Sequence, residues 1–509
     1  MDQSRNGGDY YCRKLHSASG NNQVSARRFF VLATTTCNLE AAARVLLTVA
    51  LPGRGIRLKC KAATERVKNM TTRNTRREFA LYVAQELHEA GYQALWAGGC
   101  VRDALLERDP SDYDVATNAR PDEVRKVFGR HRTVPVGASF GVMLVTAPRS
   151  EDNVEVATFR KEGPYLDGRR PDSVQYCTPE EDARRRDFTV NGMFYDPLKD
   201  EVLDFVGGKE DLQLGIVRAI GDAHHRITED KLRMLRAVRI AATLEFAIDP
   251  ATAAAIAEMA SEIAVVSVER IAHELARMLV CPRRVRALES LRELGLLRMI
   301  LPEIIPNLNE VDSAEHWGRT LRMLDGHSEM SFELAFAVLL REVPTQQCRE
   351  DDSPAARDTA RAKVVEQICR RLKLSNQQSE RTCWLVQQQH VLRDAPQLPL
   401  HVLKRLLVQP GAKELLLLNR IDAVAAEADL TAVEFTERFY EETPADELNP
   451  PELIHGGDLI GAGLSPGPGF KEILDSIRDR QLDGEIATRE AALAVVDQIA
   501  SGKIIEENS

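Results

Sequence analysis

At 509 residues the chain exceeds one ordinary domain, and two to four domains are expected. Hydrophobic residues make up 44%, no run approaches twenty uninterrupted apolar residues, and nine scattered cysteines form no CxxC pair; these facts speak against a membrane span, a disulfide framework and a cysteine zinc site, and a reducing cytoplasm fits best. The net charge of −10 is uneven, because residues 1–69 carry twelve Lys and Arg against four Asp and Glu and leave the remainder near −18; indiscriminate polyanion binding is disfavoured, while a nucleic-acid partner bound through a local basic surface stays open.

Residues 1–69 are irregular and rich in small residues, with one apolar piece at Ala41–Leu51. Asp2, Asp9 and the lack of a cleavage pattern count against a targeting peptide. A disordered extension is expected, or a start placed ahead of the true beginning at Met70. From Arg76 the pattern becomes regular: Phe79, Leu81, Val83, Leu87 and Ala90 fall near helical spacing. Strand-length apolar runs follow at Ala94–Ala97, Thr133–Val136, Val142–Val145 and Val154–Phe159, with a Pro-led helix at Pro121–Phe128 between them. Mixed strands and helices to about Gly221 predict an α/β head over 76–221. Beyond it, Glu229–Leu244, Pro250–Met259, Val268–Leu279 and Arg283–Leu294 read as helices, giving a neck over 222–290 and a helical body and tail over 291–509.

The densest chemistry lies in the head. Gly98-Gly99 opens a helix, and glycines there let backbone N–H groups approach an anion. Asp112 and Asp114 follow a short loop; residues i and i+2 of an extended segment point the same way, so two carboxylates can meet one hard cation such as Mg²⁺. Alone, Ser111–Asp114 also reads as a solvated turn. Glu155, an acid inside an apolar strand, favours the metal reading, since such a residue needs a partner; Arg160 is its other candidate. Arg184-Arg185-Arg186-Asp187 then leads into an apolar stretch holding Asn191, and arginine forks suit triphosphate oxygens. In the neck, Asp230, Arg233, Arg236 and Arg239 recur every three residues, either as an ion-paired helix surface or as an edge that reads a base.

In this order, Gly98–Asp103 with Asp112-x-Asp114, Arg185–Asn191, Glu229-Asp230-x-x-Arg233 and Ser267–Ile271 resemble the class II tRNA nucleotidyltransferase/poly(A) polymerase family. The resemblance is strong over 76–290 and looser beyond. It implies an α+β fold, a nucleotidyltransferase head with an all-helical neck, body and tail. It implies template-independent nucleotidyl transfer to an RNA 3′ end with two Mg²⁺ ions. Asp112 and Asp114 would be the metal ligands and Glu155 a third carboxylate. Gly99, Arg102, Arg186, Asp187 and Asn191 would hold the nucleotide. Asp230 and Arg233 would read the base of CTP or ATP, helped by Arg236 and Arg239. The implied partner is tRNA; neither DNA nor a membrane is expected.

Within the family, the full-length Arg160–Val174 linker disfavours CC-only relatives, and the lack of basic residues in Val134–Val142 and the acidic end at Lys503–Ser509 favour tRNA over poly(A) synthesis. CCA addition is expected, with A-only or CC-only addition to tRNA, then poly(A) synthesis, as the alternatives. A catalytically retired RNA-binding protein is the alternative of another class. Residues 316–342 resemble an HD phosphohydrolase segment, but Arg341-Glu342 stands where a His-Asp metal pair is needed, so no hydrolase activity is expected. Gly456–Gly461 and Leu464–Lys471 resemble the tail of tRNA-acting members and read either as phosphate contacts or as plain turns; Lys404 and Arg405 read as a solvated helix face or a further phosphate contact.

Overall fold

The computed structural model describes residues 76–137, 141–147, 152–162, 174–304, 313–345 and 352–500. The expectations for residues 1–69, for the middle of the 160–174 linker and for the last nine residues lie outside them.

The first helix, α1 (76–89), buries Phe79, Ala80, Val83, Ala84 and Leu87 at helical spacing. The sheet strands are β1 (Ala94–Ala97), β2 (Asp114–Thr117), β3 (Thr133–Gly137), β4 (Val142–Thr146), β5 (Asn153–Thr158), β8 (Phe194–Asp196) and β9 (Glu201–Leu203), in the order β3-β4-β5-β2-β1-β8-β9. The small pair β6 (Arg160–Glu162) and β7 (Val174–Tyr176) flanks the linker. β2 and β5 run parallel, which requires a crossover, and α3 (Pro121–Phe128) with the β3–β4 hairpin provides it; α2 (Gly99–Leu105) precedes it.

Alternation gives the sheet two unequal faces. Trp96, Val115, Met143, Val145, Val154 and Val156 join the main core. Leu95, Ala97, Ala116, Phe159 and Phe194 form a smaller cluster on the other face with Ala183. Ala183 sits on α4 (Pro179–Arg185), which Thr178 and Glu181 start with a reciprocal capping box.

The chain continues through α5 (Gly208–Leu214) and β10 (Ile216–Val217) into the neck. The single helix expected over Glu229–Leu244 is two: α6 (Ala223–Glu229) and α7 (Arg233–Leu244). The break falls at Asp230, whose backbone is extended and whose carboxylate accepts from Leu232 N (3.1 Å). A strand also survives past the head, for β11 (Ala247–Ile248) pairs in parallel with β10. Helices α8 (Pro250–Met259) and α9 (Val268–Leu279) have the bounds read from sequence; α10 (Arg284–Glu293) and α11 (Leu297–Ile300) follow.

The body holds α12 (Ser313–Asp325), α13 (Phe332–Leu340), α14 (Pro354–Arg371), α15 (Asn376–Gln388), α16 (Leu400–Leu407), α17 (Ala412–Ala425), α18 (Thr431–Glu442) and α19 (Ala445–Leu448). One continuous core runs from Phe79 to Leu448. Helices α20 (Gly456–Gly461), α21 (Gly469–Leu482) and α22 (Arg489–Ala500) close around a separate core of Ile454, Leu459, Ile477, Ile486, Ala492 and Val496. Arg405 bonds Asp475 and Asp479 across this junction, and His401 meets Asp483 (2.7 Å), so Arg405 is engaged with acids rather than free on a helix face. A groove of about 920 Å³ lies there, lined in part by Lys404, Phe470, Lys471 and Arg478. Among the described residues no helix is long and apolar enough to cross a membrane.

Candidate active site

Strand register builds the site. Glu155 pairs with Asp114, Asp114 with Ala97, and Ala97 with Phe194, in one row across four strands. Asp114 and Ala116 alternate with buried Val115, so the carboxylates share the sheet's smaller face. Asp112 lies two residues before Asp114 in the loop, where Ser111 Oγ donates to it (3.0 Å).

Asp114 keeps contact with solvent at the head of β2, yet its carboxyl is crowded. Desolvation pushes its pKa up to about 6, Glu155 and Asp112 add to the rise, and Arg186 opposes it. Negative charge is therefore concentrated here beyond what the protein neutralises. Among the described residues no group of three or more His, Cys, Asp or Glu side chains is placed to hold a metal ion by itself. Asp112, Asp114 and Glu155 nonetheless offer the carboxylate oxygens that a hard cation such as Mg²⁺ takes, with water completing its shell.

Cationic groups face this row. Arg186 lies over the Phe194 ring, 4.7 Å from its centroid, and donates to Asp182 from Nε (3.2 Å) and Nη2 (3.1 Å). Arg185 donates to the same buried Asp182 (2.9 Å). Burial opposes ionisation of Asp182, but Arg186 and Arg185 outweigh it and hold the acid below its usual range. Arg102 donates to Asn191 Oδ1 (2.7 Å) and Asp103 (2.8 Å). The glycines permit this closeness: a Cβ on Gly98, whose φ is +74°, would lie 3.3 Å from Arg186 Nη1, and one on Gly99 would lie 3.6 Å from Arg102 Nη2. The structure thus brings Asp112, Asp114, Glu155, Gly99, Arg102, Arg186 and Asn191 to one region.

The remaining sequence candidates form a second group at the head–neck junction. Asp187 accepts from Arg236 Nε (2.8 Å) and Nη2 (2.5 Å). Burial works against that carboxylate, yet Arg236 lowers its pKa to about 2. Arg233 is buried and donates to Glu229 (2.5 Å), Arg226 O (2.6 Å) and Arg185 O (3.2 Å), which ties it to the residue beside Arg186. Asp230 receives both ends of Arg270 (3.1 and 2.7 Å). Arg239 stands apart from the carboxylate row and binds buried Glu274 on α9 (2.5 Å). The four evenly spaced charges therefore do not share one surface: the break at Asp230 and these partners distribute them.

Two contributors were not singled out in sequence. Asp182 had a readable signal, lying three and four residues before Arg185 and Arg186 on a capped helix. Arg270 lies in the Ser267–Ile271 segment, but only tertiary structure shows that it meets Asp230.

Three family models match separate segments of the chain. One described as "Poly A polymerase head domain" matches residues 94–218. "Probable RNA and SrmB- binding site of polymerase A" matches 245–308, and tRNA nucleotidyltransferase domain 2 matches 359–496. The chain is 42% identical over 218 residues to a CCA-adding enzyme of Geobacillus stearothermophilus; the match takes in 43% of this chain and 53% of that relative, about half its length. It is 32% identical over 421 residues to a CCA-adding enzyme of Streptococcus pneumoniae, covering 81% of this chain and 95% of the relative. The crystal structure of the Bacillus stearothermophilus CCA-adding enzyme in complex with CTP is similar over 83% of this chain and 97% of that one, with a TM-score of 0.60 and 28% identity.

Proposed function

Because this chain belongs to the tRNA nucleotidyltransferase/poly(A) polymerase family, we propose that it adds CCA to the 3′ end of tRNA from CTP and ATP, without a template and with release of pyrophosphate. The observation that carries the reading is the register row that sets Asp114 beside Glu155, with Arg186 over Phe194 at the other end of the same row.

Asp112 and Asp114, with Glu155 beside them, would hold Mg²⁺, which supplies activation of the attacking hydroxyl and neutralisation of charge on the leaving phosphates. Arg102 and Arg186 bind triphosphate oxygens, held at the site by Asn191 and Asp182. Asp230 and Arg233 present an acceptor and a donor to the base edge. A carboxylate offers about four lone-pair sites, so Asp230 can hold Arg270 and still accept from an exocyclic amine. Arg236 and Arg239 act by fixing Asp187 and Glu274, and so the junction, rather than by touching nucleotide. The cytoplasm, where tRNA is matured, is the proposed compartment.

The test supplies Mg²⁺, labelled CTP and ATP, and tRNA transcripts ending before CCA, after C or after CC. Growth to a fixed CCA end is expected. Addition of A alone to the CC-ended transcript, or open-ended A tails, would place the chain in a sister branch, and no incorporation would favour a retired RNA-binding protein.

A further inference from the structure

The body contains a basic cavity that the nucleotidyl-transfer reading leaves unused. It has a volume of about 250 Å³, and Arg319, Arg357, Arg361, Arg393 and His390 line it with Glu342. Arg319 comes from α12, Arg357 and Arg361 from successive turns of α14, and His390 and Arg393 from the segment after α15.

The acids behind this wall are fully engaged. Asp422 takes Arg319 Nη2 (2.6 Å), Arg393 Nη2 (2.9 Å) and Arg341 Nη1 (2.9 Å). Asp358 takes Arg361 Nη1 (3.2 Å) and His390 Nδ1 (2.7 Å), and Glu342 takes Arg361 Nη2 (2.9 Å). Arg319, Arg341, Arg357, Arg361 and Arg393 thus bring five positive charges to three carboxylates. Two donors remain over. The Nε of Arg319 is buried with no hydrogen-bond partner, a state that is costly unless something fills it. Arg357 is exposed in the cavity lining, and among the described residues its hydrogen bond is from the backbone N to Ser353 O, with none from the side chain. At ~30 Å³ per water, the cavity has room for a tetrahedral oxyanion and several waters.

We propose that this arginine-lined cavity of the body binds a phosphate group, from either a free phosphate-bearing small molecule or the backbone of bound RNA. Guanidinium forks match phosphate oxygens in geometry and charge, and the excess positive charge calls for a dianion or a polyanion. Arg341, the residue that removes a metal site from the HD-like segment, is here the buried anchor of the network (3% exposed). The inference does not rest on CCA addition, and its readout is binding.

The experiment uses the full-length protein with Arg357→Ala and Arg357→Glu, positions chosen because Arg357 is exposed and supports nothing else. Titration with inorganic phosphate, followed calorimetrically, should show a site weakened about tenfold by R357A and lost in R357E, with melting temperature and CTP binding unchanged. Filter binding of tRNA across salt concentrations then separates the sources. Weaker tRNA binding in R357E, with a salt slope smaller by about 1, assigns the site to an RNA phosphate. Unchanged tRNA binding with phosphate binding lost assigns it to a free anion. If wild type and R357E are indistinguishable in both titrations, the cavity is only the structural ion-pair network of the body and the proposal falls.

Discussion

The sheet face and the neck carry the same kinds of residue and use them in opposite ways. On the sheet, Asp112, Asp114 and Glu155 crowd like charges together, and the protein opposes them chiefly with Arg186. In the neck, Asp230, Arg233, Arg236 and Arg239 each have an internal partner of opposite charge. Uncompensated charge costs stability and is kept only where something from outside completes it. Compensated charge builds the frame. Regular spacing of charges in sequence thus marks a candidate site, but the partner of each charge, and the lone pairs or N–H groups left over, decide whether it serves architecture alone, as for Arg236 and Arg239, or can also meet a ligand, as proposed for Asp230 and Arg233.

The sharpest way to break this comparison is Asp114→Asn. Nucleotide incorporation should fall by about three orders of magnitude or more, while the melting temperature holds or rises because a like-charge contact is removed; single-turnover incorporation and calorimetry measure the two. A loss of stability in step with activity would make Asp114 a structural residue. Next comes Arg236→Ala, which strands buried Asp187 and should cost about 3 kcal/mol in denaturant unfolding; a change below ~0.5 kcal/mol would return Arg236 to the nucleotide.

The same pair sets a pH dependence. The carboxyl of Asp187 falls from an ordinary 3.8 to about 2 on folding. A group with a depressed folded pKa stabilises above its unfolded value and loses that stability as pH drops through the folded one. The contribution, about 2 kcal/mol, should therefore be intact above pH ~4 and vanish between there and ~2. Asp187→Asn should flatten that part of the curve of unfolding free energy against pH. The smallest effect is expected for Arg270→Ala. Freed from its clamp, Asp230 should lose CTP/ATP discrimination by about tenfold, read as the ratio of kcat/KM values, with little change in stability. Unaltered discrimination would leave Arg270 with a packing role.

Much of the scaffold was legible. The Pro-led helix at Pro121–Phe128 and the apolar runs at Ala94–Ala97 and Val142–Val145 lie where short-range pattern puts them. The motif that placed Asp112 and Asp114 two apart is local too. What sequence hid was long-range. Nothing near Glu155 announces that a parallel crossover will seat it opposite Asp114. The three-residue spacing of Asp230, Arg233, Arg236 and Arg239 reads as one helix surface, so periodicity carries a single helix through Asp230 where an aspartate turn makes two. The role of Arg270 and the separation of Arg239 likewise depend on which helix packs beside which, a property that no window of sequence contains.

The tail's private core has a consequence for how such a chain can change over generations. Ile477, Leu459 and Val496 pack with one another rather than with the core that supports the strands, and polar pairs such as His401–Asp483 help join the two. Polar pairs of this kind are individually weak and easily exchanged. A substitution that loosens the tail is therefore absorbed within about fifty residues, far from the register row that aligns Asp114 with Glu155. Drift can reshape the distal end of the molecule while selection holds the strand row fixed.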